Sequence, residues 1–95
     1  MNSILITGAG SGIGRATAVA FVGAGWNVAL VGRRQDALEE TARVAGGGLV
    51  LPGDVTKPGE VDTTFAAAIA KFGRLDALFN NAGRGSRPRT IDETT

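Results

Sequence analysis

The 95-residue sequence contains no cysteine, no histidine and no tyrosine, and only 5% of it is aromatic. Without cysteine there is no disulfide framework and no thiolate nucleophile. Without histidine the commonest metal ligand and the commonest general base are both missing, and no metal site is expected. No apolar run approaches the roughly 18 residues of a membrane span, and the opening "MNSILIT" lacks a basic stretch and a cleavage site. The formal net charge is +1, so no general affinity for nucleic acid or an anionic membrane is expected. Together these features suit a soluble, reducing, cytoplasmic setting. What is plentiful is apolar residues, at 43%, and glycine, with 15 in the chain.

Such a chain suits one small domain. Ser3–Thr7 "SILIT" is short, apolar and β-branched, and reads as a buried strand. The spacing of Ile13, Ala16, Ala20, Phe21 and Ala24 predicts a helix over 13–24, stopped at Gly25. "NVALV" (27–31) is a second strand, and 35–45 an amphipathic helix with Leu38, Ala42 and Ala45 on one side. A third strand starts over 49–51. A third helix over 58–72 has Pro58 in its first turn and Val61, Phe65, Ala68, Ile69 and Phe72 facing inward. "LDALF" (75–79) is a fourth strand, and residues 84–95 read as a polar loop, with a further helix able to begin in 91–95.

Strands and helices that alternate in this way imply an α/β fold, a Rossmann-type doubly wound parallel sheet. The strand order expected is 3-2-1-4, with a ligand crevice where the order reverses. Four strands and three helices leave the fold incomplete. The fourth strand would be an exposed apolar edge, and one sheet face would carry only the third helix. Residues 1–95 are therefore expected to be the dinucleotide-binding half of a longer polypeptide, or a truncated product.

The glycines concentrate in "ITGAGSGIGRA" (6–16), between the first strand and the first helix. A helix N-terminus offers free N–H groups and a positive dipole end, so a phosphate-bearing ligand is the natural guest. A bare tight turn is the bland alternative. The run is not a P-loop, because Arg15 follows Gly14 where a P-loop has lysine. It is not a strict G-x-G-x-x-G either, because residue 13 is isoleucine. What stands there is Thr7-Gly8-x-x-x-Gly12-x-Gly14.

This spacing resembles the cofactor loop of the short-chain dehydrogenase/reductase family. Two further motifs agree with the resemblance. "LPGDVT" supplies Asp54 and Val55 after the third strand, where the family places an Asp near the adenine. "NNAG" supplies Asn80, Asn81, Ala82 and Gly83 after the fourth. Taken alone, Asp54 could make an Asx turn, and "NNAG" an ordinary turn. The resemblance covers residues 4 to about 83. It implies that Thr7, Gly8, Ser11, Gly12, Ile13, Gly14, Asp54, Val55, Asn80, Ala82 and Gly83 form a cofactor site. Gly8 then permits the tight turn, Gly12 lets the backbone approach the pyrophosphate, and Gly14 allows close helix packing. The N–H of Ile13 faces phosphate. Gly10 and Ser11 are variable positions, with Ser11 able to add a hydroxyl contact.

An NAD site usually places a carboxylate at the end of the second strand for the ribose 2′-hydroxyl. That position is Gly32, followed by Arg33 and Arg34. Two guanidinium groups suit a 2′-phosphate, so NADP is expected over NAD. The alternative is that the arginines are solvated charges.

The resemblance implies hydride transfer between a nicotinamide and a carbonyl or alcohol substrate, and a homo-oligomer at full length. The family's Ser, its Tyr-x-x-x-Lys pair and its relay Asn lie downstream of "NNAG". Since this sequence has no tyrosine and neither Lys57 nor Lys71 stands in such a motif, no catalytic residue is assigned, and these residues alone are expected to be inactive. A truncated, non-catalytic nucleotide-binding or interaction module is the alternative. A Rossmann-type methyltransferase would leave "NNAG" and the paired arginines unexplained. Arg84, Arg87 and Arg89 are read as solvated rather than as an acidic-substrate site.

Overall fold

The computed structural model describes residues 2–81 and 88–90. Strand β1 is Ser3–Thr7, α1 Gly12–Gly23, β2 Asn27–Gly32, α2 Gln35–Ala45, β3 Leu49–Pro52, α3 Pro58–Phe72, β4 Ala77–Asn80 and β5 Pro88–Thr90. The sheet order is β3-β2-β1-β4-β5, and β1 to β4 are parallel in the expected 3-2-1-4 order.

The register explains the continuous apolar runs. Leu5 pairs with Ala29 and Leu78, and Ile6 pairs with Leu30 and Phe79. Because side chains alternate across a strand, each run feeds two cores. Ile4, Ile6, Val28, Leu30 and Phe79 meet Ala18 and Leu38, on the side of α1 and α2. Leu5, Ala29, Val31 and Leu78 meet Ala68, Phe65 and Phe72 of α3. Each fully buried leucine, isoleucine or valine contributes on the order of 1.5–3 kcal/mol, which makes β1 and β2 the thermodynamic centre of the fold. Phe21 and Trp26 stack edge to face, with ring centroids 4.8 Å apart, and close the α1–β2 turn.

Three sequence expectations are corrected. First, the buried residues of α1 are Gly14 and Ala18, with Phe21 and Val22 partly buried, whereas Ile13 is 66% exposed and Ala16, Ala20 and Ala24 are also exposed. This helix is apolar on every side, so its periodicity does not choose a face. Second, Ile69 of α3 is exposed, and Thr64 takes a buried place beside Ala68. Third, 88–90 is not loop. It forms β5, antiparallel to β4 with Phe79 opposite Pro88, so β4 is not an open edge. A further helix in 91–95 falls outside the described residues.

Candidate functional site

Parallel strands bring the carboxyl ends of β1, β2, β3 and β4 to one edge of the sheet. Two adjoining clefts open there. The first, about 530 Å³, is lined by Gly8, Gly10 and Ser11 of the glycine-rich turn and by Gly32, Arg33, Arg34, Asp36 and Ala37 at the start of α2. The second, about 360 Å³, is lined by Gly53, Asp54, Val55 and Thr56 after β3 and by Asn81 after β4. Gly8, Ser11, Gly32 and Arg33 line both, so the two clefts meet at the mouth of β1 and β2.

The turn is built for backbone access. Gly8 and Gly12 have φ of +63° and +58°, a region that side-chain-bearing residues rarely enter. No atom would touch a Cβ on Gly12, so the backbone there is open to an approaching group. Gly14 is the opposite case, since a Cβ on it would lie 2.0 Å from the carbonyl oxygen of Gly8. Ser11 is the N-cap in extended geometry. Its side chain makes no capping hydrogen bond, and no acidic residue occupies the first turn of α1. The first N–H groups of α1 are therefore left to a ligand, which an anion would satisfy.

Thr7 has a different place. It is buried, and its hydroxyl donates to Asn80 Oδ1 at 2.9 Å and accepts the Asn81 N–H at 2.9 Å. It thus holds the ends of β1 and β4 together and lines neither large cleft. With Asn80 and Val55 it borders a smaller cavity of about 140 Å³ against Phe65 and Leu78.

Asp54 makes the Asx turn that its residue type suggests. Its Oδ1 accepts the Thr56 N–H at 3.0 Å and the Thr56 hydroxyl at 2.6 Å. Those bonds hold its carboxyl below the usual carboxylate range, the hydroxyl contact first. The Asp54 N–H is also anchored, donating to Glu60 Oε1 of α3 at 2.6 Å. Sequence reasoning passed over Glu60, although an acidic residue in the first turn of a helix was its signal.

The two arginines are not equivalent. Arg34 pairs with Asp36 at 3.2 Å, and both side chains are exposed. Its hydrogen bond is the first cause of the lowered Asp36 pKa. Arg33 makes no hydrogen bond or ion pair with the other described residues and stands where the clefts meet. A Cβ at position 32 would come within 3.2 Å of buried Leu38, so glycine lets α2 start close to the end of β2. Ala82 and Gly83 lie outside the described residues.

An open glycine-rich turn, an uncapped helix N-terminus and a flanking cleft at the sheet's reversal point define a Rossmann-type fold. A family model described as short chain dehydrogenase matches residues 2–95, and the chain belongs to that family. It is 45% identical over 85 residues to 11-beta-hydroxysteroid dehydrogenase-like 2 of Arabidopsis thaliana, covering 84% of this chain and 28% of that protein. The crystal structure of a hydroxysteroid dehydrogenase from Escherichia coli matches with a TM-score of 0.81 at 35% identity, over 88% of this chain and 37% of that one. The 3-ketoacyl-(acyl-carrier-protein) reductase of Brucella melitensis, solved complexed with NADH, matches with a TM-score of 0.77 at 38% identity, over 81% of this chain and 32% of that one. The chain thus spans about a third of the length of such relatives.

Proposed function

We propose that this chain is the cofactor-binding part of an NAD(P)-dependent oxidoreductase acting on a small carbonyl or alcohol compound, with NADP preferred over NAD. The single observation that carries the NADP preference is Arg33. It makes no hydrogen bond or ion pair with the other described residues, acts on Asp54 only through its charge, lies at the junction of the two clefts, and follows a glycine where an NAD site would hold a carboxylate. A 2′-phosphate would take charge-assisted hydrogen bonds from its guanidinium.

The family relationship and the geometry together support the remaining roles. The open N–H groups at Gly12 and Ile13 would hold the pyrophosphate, with Ser11 beside them. Asp54 and Val55 would border the adenine. Thr7 fixes Asn80 and Asn81, and so shapes the wall across the crevice, which Ala82 and Gly83 continue in sequence. A bound nicotinamide cofactor supplies the hydride. No residue of this chain is assigned proton transfer, because the sequence holds neither tyrosine nor histidine. The absence of cysteine fits a reducing, cytoplasmic setting, and the family relationship favours a homo-oligomer of the full protein.

The test is calorimetric titration of the purified protein with NADP and NAD. NADP is expected to bind more tightly, with Arg33→Ala abolishing the difference. Equal affinities in the parent, or an unchanged ratio in Arg33→Ala, would overturn the assignment.

A further inference from the structure

Arg15 follows the last glycine of the turn, yet its side chain does not line either cleft. It runs behind the first one. Its Nη2 donates to the carbonyl oxygens of Gly10 at 2.6 Å and Ala37 at 3.2 Å. Its Nε donates to Thr41 Oγ1 at 2.8 Å. Thr41 is fully buried, and its hydroxyl donates in turn to the carbonyl oxygen of Ala9 at 2.7 Å. One guanidinium and one hydroxyl therefore gather two consecutive carbonyls of the glycine-rich turn and one of α2.

We propose that Arg15, with Thr41, is a positioning residue that locks the glycine-rich turn to α2 and so sets the first cleft for a phosphate-bearing dinucleotide. The proposal rests on the reading of that cleft as a cofactor site.

Three features support it. Gly10 and Ala37 both line the cleft, and Arg15 ties them together from behind. The gap is set at contact distance, since a Cβ on Gly10 would meet the Ala37 Cβ at 2.9 Å. Residue 10, read from sequence as variable, is thus confined by α2. Finally, the carbonyl oxygens of Ala9 and Gly10 would repel a phosphate if they were free to turn toward it. In a trans peptide the carbonyl and the following N–H point opposite ways. Holding both oxygens against Arg15 and Thr41 therefore turns the N–H groups of Gly10 and Ser11 away from α2. The Ala9 N–H is already committed to the Val31 carbonyl at 3.1 Å, so the turn is pinned on two sides.

Dissociation constants of the purified protein for NADP, NAD and adenosine, measured for Arg15→Met, Arg15→Lys, Thr41→Val and Arg15→Met/Thr41→Val, test this. Arg15→Met is expected to weaken NADP about tenfold or more, the effect of losing charge-assisted hydrogen bonds. Adenosine, which needs only the cleft beside Asp54, keeps its affinity. Arg15→Lys recovers part of the loss. The double variant is within about twofold of Arg15→Met, because the two residues form one network. Should Arg15→Met not fold, Arg15→Lys and Thr41→Val carry the same comparison. A uniform loss for all three ligands would mean a merely structural role and overturn the proposal. So would NADP affinities within about twofold of the parent across the series. Arg33→Ala serves as the control on the cofactor reading. If it shifts the NADP to NAD ratio while the Arg15 series leaves both dinucleotide affinities unchanged, only the positioning role fails. If the parent binds neither dinucleotide, the reading and the proposal fall together.

Discussion

Gly14 faces Gly8 so closely that a Cβ on Gly14 would sit 2.0 Å from the Gly8 carbonyl oxygen. The contact is backbone on side chain, so no rotamer change relieves it. Gly14→Ala would gain roughly 1 kcal/mol in helix propensity. Overpacking costs about 1–3 kcal/mol even in a deformable core, and this turn is held by Thr41 and Val31. The clash wins. Gly14→Ala is expected to lower unfolding free energy by at least about 1 kcal/mol in urea titration, and to weaken dinucleotide binding with it.

That relationship also marks how far the sequence could be read. Strands 1 and 2 were legible as short continuous apolar runs, and helices 2 and 3 by apolar residues at helical spacing, although in α3 Thr64 rather than Ile69 is buried. The face of α1 was not, since a helix apolar all round presents no preferred side. The glycine spacing revealed the turn and its ligand class. It could not show what Gly10 abuts, because Ala37 lies 27 residues away in the chain. Arg15 served only to exclude a P-loop; its three bonds depend on where α2 docks. The strand at 88–90 was hidden because its pairing partner, not its composition, makes it one.

The Thr7 hydroxyl bonds both Asn80 and Asn81 at the ends of β1 and β4. Thr7→Val keeps the shape and removes both bonds, leaving the Asn81 N–H without that acceptor. A loss of about 1–3 kcal/mol is expected. Thr7→Ser keeps the hydroxyl and gives up one methyl, for about 1 kcal/mol. Chemical denaturation of the two variants separates the contributions. A Thr7→Val protein as stable as the parent would show that the bonds contribute nothing net.

Arg33 and Arg34 are adjacent, but among the described residues only Arg34 is held in an ion pair, with Asp36, while Arg33 acts on Asp54 through its charge alone. Arg33→Ala is expected to weaken NADP binding by about tenfold or more. Arg34→Ala should cost no more than about threefold, since its charge is shared with Asp36. The pair is exposed and weak, so Asp36→Asn should tighten NADP by up to about fivefold while leaving NAD unchanged. Titrations with both dinucleotides decide it, and an Arg34 effect equal to that of Arg33 would contradict the asymmetry.

Asp76 precedes β4 and fastens it to the start of β1. Its Oδ2 accepts the Ser3 N–H at 2.7 Å, and its Oδ1 accepts from Arg74. The Ser3 bond is the first cause of a pKa held below the ordinary aspartate value, with Arg74 adding to it. A carboxyl whose pKa falls on folding binds protons more readily in the unfolded chain. Its contribution is then fully present above the unfolded value of about 4 and is lost as pH falls through the lower folded value. Asp36, Glu40 and Asp54 are lowered as well, so the parent protein is expected to lose stability steadily below about pH 4. Asp76→Asn removes one titrating group from that set. Urea midpoints measured from acid to neutral pH should show the variant less stable than the parent at neutral pH, with the two curves converging in acid. Parallel curves would mean that the Asp76 charge adds nothing to the tether between β1 and β4.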